Sequence, residues 1–222
     1  MKRFLALILF LAGAGVAHAQ SAKPMMLVAS PALQGLYRHT TLIVVPAGES
    51  HIGFIVNRAT DLRLATLFPE HAPSAKVADP VYFGGPEMLD AIFAVVRRDP
   101  GTGGVQLFGD LYLVAGADAV DRVIERTPND ARYFAGFVGW QPGELESEIE
   151  AGFWYTAEAD PALFFRHDTS RVWDELSKRL GNGHAPQHGR GWPLPRRSTR
   201  SSHIAAESLR KHCAASRSWT YQ

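Results

Sequence analysis

The sequence predicts an α+β fold, one compact domain over residues 20–180. Three observations carry this. Several apolar, β-branched runs are of strand length, two segments repeat apolar residues at helical spacing, and strand and helix do not alternate as a parallel βαβ sheet requires. With 222 residues, 46% of them apolar and 20% charged, the chain is long enough to bury a sizeable core.

Met25-Met26-Leu27-Val28-Ala29 is a continuous apolar run closed by Ser30-Pro31, and it reads as a buried strand. Thr40 to Val45 is rich in β-branched residues and stops at Pro46, giving a second strand. Turn residues at Ala47 to Ser50 lead into a third strand, His51 to Asn57, so these three predict an antiparallel meander. Leu62, Leu64, Leu67 and Phe68 suit a short helix halted by Pro69. Val81-Tyr82-Phe83 runs into a turn at Gly84-Gly85-Pro86. Strands are expected at Ile92 to Val96 and Gln106 to Val114, and an amphipathic helix at Ala117 to Arg126, ended before Pro128. A strand at Arg132 to Val138 follows. Beyond it Pro142 starts a helix whose apolar face is Leu145, Ile149 and Phe153, and Phe153 to Thr156 forms the next strand. Val172, Trp173, Leu176 and Leu180 mark a last helix closed by Gly181.

The two ends stand apart. Lys2 and Arg3 precede an apolar run from Phe4 to Val16, and Ala17-His18-Ala19 fits the small-x-small cleavage pattern. Residues 1–19 therefore read as a signal peptide, placing the protein in the periplasm or outside the cell. If the signal is not used, the location is cytoplasmic. No later segment reads as transmembrane. Residues 181–222 carry seven basic side chains against Glu207 alone, whereas residues 20–180 carry 14 basic and 21 acidic ones. A basic, disordered tail is expected to follow an acidic body. The single Cys213 excludes an intramolecular disulfide framework and any cysteine-rich zinc site.

The candidate chemistry is sparse. Glu144, Glu146, Glu148 and Glu150 alternate after Trp140-Gln141-Pro142-Gly143, and they suit a solvated helix start favoured by the helix dipole. Gly101-Thr102-Gly103-Gly104 lacks the rest of a phosphate loop, and no nucleophile elbow is present. Ser50 beside His51 raises a hydrolase alternative for which no orienting third group can be named. His184 and His188 are spaced for a weak copper or nickel site in the tail, yet glycine and proline around them deny a helix. No metal centre or cofactor is expected. Asn57-Arg58 and Gly84-Gly85-Pro86, each at a strand end, offer a donor fork and exposed backbone N–H groups that together suit an anion-accepting groove.

Four blocks in this order resemble the YqgE/AlgH family: Met26 to Pro31, Gly53 to Arg58, Pro80 to Pro86, and Gly136 to Ile149. The resemblance runs from Met25 to Leu180. It implies an α+β domain with a mixed, bifurcated, partly barrel-like sheet flanked by helices, and it brings no catalytic residues or cofactor. Members are often labelled transcriptional regulators, without an evident DNA-binding motif. Ala59, Glu87 and Glu144 stand where the family commonly has proline, an apolar residue and glutamine. The function expected is non-enzymatic binding or regulation, through a surface formed by Asn57, Arg58, Gly84, Gly85, Pro86, Trp140 and Glu144. Its partner would be a protein or a small anionic ligand. An exported chain does not meet the chromosome, so nucleic acid enters only with the cytoplasmic alternative, through the basic tail.

Overall fold

Nine strands form the core of the computed structural model, which describes residues 23–182. β1 (Met25–Ala29), β2 (Thr41–Ala47) and β3 (Ser50–Ile55) make the expected antiparallel meander. The β2–β3 hairpin turns at Gly48, whose φ of +67° is most easily adopted by a residue without Cβ. Both faces of these strands are covered. Met26 and Val28 join one apolar cluster, Leu27 and Ala29 another on the opposite face, so the run shows no polar alternation.

The sheet continues through β4 (Tyr82–Phe83), β5 (Glu87–Val96), β6 (Gly104–Phe108), β7 (Leu111–Val114), β8 (Ala131–Trp140) and β9 (Trp154–Glu158). Its order is β6-β7-β5-β8-β3-β2-β1-β9, with β4 lying parallel to β8 and every other pairing antiparallel. It curls as a half-barrel, so the fold is the expected single α+β domain.

β8 is where the sheet divides. Its first half, Ala131 to Ala135, pairs with β5, and its last residues, Val138 to Trp140, pair with β3. Gly136 sits at the break with φ +67°, and Gly84 and Gly85 lie against the same stretch of backbone. A Cβ on Gly84 would overlap the Gly136 carbonyl, so these glycines serve close packing of main chains.

Four helices cover the sheet: α1 (Leu64–Leu67), α2 (Ala117–Arg126), α3 (Glu144–Glu150) and α4 (Val172–Gly181). α2 buries Val120, Val123 and Ile124 against Ala94, Val96, Tyr133 and Ala135. α4 and the turn at Pro161–Phe165 cover the face of Met26, Phe54 and Phe134. α3 inserts Leu145 among Leu27, Leu42, Val138 and Trp154.

α3 ends at Glu150, short of the expected Phe153, and β3 ends at Ile55, short of Asn57; three further boundaries differ more. The run from Gln106 to Val114 is a hairpin, because Gly109 at φ +54° turns the chain between β6 and β7. Val81 to Phe83 contributes a short parallel strand before its turn. β5 begins at Glu87, five residues early, with a bulge between Glu87 and Ile92 that the apolar pattern does not announce. The signal peptide, most of the basic tail, His184, His188 and Cys213 lie outside the described residues.

Candidate functional site

Asn57 and Arg58 follow β3 and both reach back to the loop before β2. Asn57 Oδ1 accepts the Thr41 backbone N–H at 2.8 Å, and its Nδ2 donates to the His39 carbonyl at 2.9 Å. Arg58 Nη1 donates to the Leu36 carbonyl at 2.6 Å and Nη2 to the Arg38 carbonyl at 3.2 Å. The guanidinium also lies 5.8 Å from the Phe83 ring centroid. Burial draws its pKa below the ordinary arginine value, partly opposed by Tyr37. The fork expected to take an anion from solution is thus filled by carbonyls of its own chain.

What this bracing displays is the loop itself. His39 is exposed, sits at φ +57°, and stacks on Trp173 with ring centroids 3.9 Å apart. Trp173 is fixed in turn by its indole N–H, which donates to the Ala29 carbonyl at 2.8 Å. Arg38 beside it is exposed, and Tyr37 meets Trp154 edge-on at 5.8 Å.

Of the other expected surface residues, Gly84, Gly85 and Trp140 are buried, and Pro86 and Glu144 are half-buried. Gly84 donates its N–H to Ala135 at 2.9 Å and accepts from Ile55 at 2.9 Å, so that N–H is not displayed for a ligand. Trp140 is only 3% exposed. Its indole N–H donates to Glu148 Oε2 at 2.9 Å, and Trp154 donates to the same oxygen at 2.9 Å. Glu148 is therefore a clamp between two tryptophans, where the alternating glutamates suggested only solvated charge. Glu144 Oε2 accepts the Gln141 backbone N–H at 3.1 Å, closing the turn into α3.

Ser50 and His51 are consecutive in β3, so their side chains point to opposite faces of the sheet and cannot meet as nucleophile and base. His51 is buried at 6% exposure. Its Nδ1 makes no hydrogen bond and lies 4.0 Å from Glu146 Oε1.

Sequence reasoning passed over Arg132. It is 2% exposed, 4.4 Å over the Tyr82 ring, with Nη2 3.5 Å from Asp79 Oδ2 and 3.4 Å from the Arg166 carbonyl. Nothing in Ala131-Arg132-Tyr133-Phe134 distinguishes such an arginine from a solvent-facing one. Among the described residues no three His, Cys, Asp or Glu side chains stand together as a metal cluster. A shallow groove of about 450 Å³ runs between β9 and α4, lined by Met26, Ala157, Leu163, Leu176 and Arg179 among others. Arg166 at its rim is already paired with Glu175 at 2.9 Å. No helix of the described residues is long and apolar enough to cross a membrane.

The chain is thus an α+β domain whose curled sheet divides at a glycine junction, with an aromatic-braced loop at one end. The family model described as AlgH-like matches residues 26–185, and the chain belongs to that family. A UPF0301 protein of Chlorobium limicola is 28% identical over 162 residues, covering 71% of this chain and 85% of its own length. A UPF0301 protein of Streptomyces avermitilis is 29% identical over 177 residues, covering 76% and 91%. The solution structure of the AlgH protein from Pseudomonas aeruginosa superposes with a TM-score of 0.60 at 24% identity, covering 77% of this chain and 97% of that one. A crystal structure of a protein from Corynebacterium diphtheriae gives 0.58 at 25% identity, covering 75% and 88%.

Proposed function

We propose that this AlgH-like chain is an exported, non-enzymatic binding and regulatory protein that meets its partner through the loop 35–39. The observation that carries the reading is His39, an exposed non-glycine residue held at φ +57°. Such a backbone costs about 1–3 kcal/mol and persists only where its surroundings enforce it. Here Asn57, Arg58 and the Trp173 ring enforce it, fixing the Arg38–His39 backbone and the His39 ring while the Arg38 side chain is exposed to solvent. In this reading Asn57 and Arg58 act as the brace. Phe83, next to Gly84, Gly85 and Pro86, supports the Arg58 head. Trp140 and Glu144 shape the α3 end, which reaches the loop through Glu148, Trp154 and Tyr37. A cationic fork beside an imidazole suits carboxylates on a protein partner or a small anion.

Export rests on the charged start, the apolar run and the Ala17-His18-Ala19 motif. Fractionation with mass spectrometry should find a periplasmic product that starts at Gln20, and a cytoplasmic product retaining Met1 would refute export. For the loop, a photo-crosslinking amino acid replacing His39 should give a discrete adduct in cells, absent when the same group replaces Glu125 on α2. Equal adducts at both positions, or none at either, would remove the loop as the contact.

A second reading is favoured by the tail's charge alone: a cytoplasmic regulator that contacts nucleic acid through residues 181–222. It requires DNA binding that falls steeply with salt and vanishes when those residues are deleted.

A further inference from the structure

We propose that the open edge of β9 is a docking site for the chain's own basic segment, Arg190-Gly191-Trp192-Pro193-Leu194-Pro195-Arg196-Arg197, which adds there as a further strand. Among the described residues β9 ends the sheet, paired with β1 on one side only. In the same register the Ser30 N–H donates to the Phe153 carbonyl at 2.9 Å. Bonding alternates along an antiparallel pair, so Tyr155 and Ala157 bond β1 while Trp154, Thr156 and Glu158 turn their main-chain N–H and C=O outward. An unpaired row of this kind is a template for another strand. Beside it lies the groove of about 450 Å³, where Met26, Ala157, Leu163 and Leu176 offer apolar surface.

Three observations select this occupant. The first is where the described chain ends. A Cβ on Gly181 would lie 3.4 Å from the Tyr155 hydroxyl, so the residues beyond Asn182 start beside β9. Arg190 comes eight residues later. That is up to about 26 Å of extended chain, against about 17 Å for the length of β9. The second is charge. Residues 133–165 carry six acidic side chains and no basic one, whereas residues 183–222 carry seven basic ones against Glu207 alone. Glu158 and Asp160 are exposed at the groove itself. The third is the spacing of the prolines. An added strand bonds β9 through alternate residues only. With Trp192, Leu194 and Arg196 turned to β9, Pro193 and Pro195 fall on the outer side, where no N–H is needed, and close the new edge to further strands. Each proline also biases the residue before it, Trp192 or Leu194, toward extended backbone. Running parallel to β9, Trp192 and Leu194 come level with Tyr155 and Ala157, whose side chains lie on the α4 face with the groove. Arg196 then comes level with Ala159, between Glu158 and Asp160.

The test is amide hydrogen exchange, read by NMR on the full chain. The outward-facing Thr156 N–H should exchange at least about tenfold faster in Leu194→Pro, which removes a donor turned to β9, than in the parent chain. The double change Arg196→Glu with Arg197→Glu should do the same, by setting like charges against Glu158 and Asp160. Pro193→Ala, on the outer side, should keep the Thr156 rate within about threefold of the parent. Val44, inside β2, should exchange alike in every variant, since all the changes lie outside the described core. Equal Thr156 rates in the parent and Leu194→Pro would overturn the docking, and so would Pro193→Ala behaving like Leu194→Pro. A Thr156 rate that slows as protein concentration rises, with a dimer in sedimentation velocity, would place another copy at the edge and overturn it too.

Discussion

Glu148 shows how much one side chain can hold. Its Oε2 accepts from two tryptophans, one at the end of β8 and one at the start of β9, and so ties α3 to both strands. Hydrogen bonds to a charged acceptor contribute about 1.5–3 kcal/mol, and each indole left bare in the core adds its own desolvation cost. Glu148→Ala should therefore lower stability by about 2–4 kcal/mol, with Glu148→Gln costing roughly half as much. Urea unfolding measures the loss, and native tryptophan emission should shift to the red. A change under about 0.5 kcal/mol with unshifted emission would return Glu148 to the ranks of solvated surface charges. Tyr133 makes a different case. Burial raises its pKa well above the usual tyrosine value, and its hydroxyl donates to the Pro128 carbonyl at 3.1 Å. The unfolded chain releases this proton first, near pH 10, while the folded chain still holds it. Stability from this group is complete below pH 10 and falls as pH climbs above it. Tyr133→Phe should cost about 1 kcal/mol at neutral pH and flatten the alkaline decline. A decline of unchanged steepness would assign it to other groups.

At the scale of elements, strands packed on both faces were the most legible, because apolar runs closed by Pro or Gly have few other uses. The span of α2 was legible in full, since Val120 and Ile124 recur at helical spacing and Pro128 bars continuation. The bulge in β5 and the β6–β7 turn were not. Both depend on backbone conformation at single residues, Met88 at φ +51° and Gly109 at φ +54°, inside segments whose side chains look uniform. The site divides in the same way. Asn57, Arg58 and Trp140 could be picked out as unusual. The carbonyls and carboxylate that they bind come from residues 8 to 22 positions away, and no local pattern indicates them. The Gly84-Gly85 and Gly136 junction was visible as glycines but not as a junction. There an added methyl has no room: at Gly136 it would crowd the carbonyls of Gly85 and Glu87, on a backbone already at φ +67°. Gly136→Ala should cost at least about 3 kcal/mol, combining strain with displacement of main chain that cannot give way. Thermal unfolding reads the loss directly, and a shift of only a degree or two would show that the two sheet halves can slide apart without cost.

Over the whole molecule, β8 makes the two halves one cooperative unit. Its first half belongs with β5 and, beyond it, β7; its last residues belong with β3, β2 and β1. Phe134 reinforces the join, with ring contacts to Phe54 on β3 at 5.3 Å, Tyr82 on β4 at 5.8 Å and Phe164 beneath α4 at 5.8 Å. A half that unfolded alone would strip one edge of β8 and expose that aromatic cluster, so partial unfolding gains little entropy for a large loss of burial. Among the described residues all three tryptophans, Trp140, Trp154 and Trp173, lie on the side of β1, β3, β9 and α4. Their emission therefore reports on that half, while amide exchange of β7 reports on the other. The expectation is one urea transition by fluorescence and an exchange free energy for β7 that agrees with it within about 0.5 kcal/mol. Gly136→Ala should lower both together. If β7 exchanges at a clearly smaller free energy, or if Gly136→Ala lowers one half and spares the other, β8 is a border between two folding units and the shared-strand account of stability is wrong.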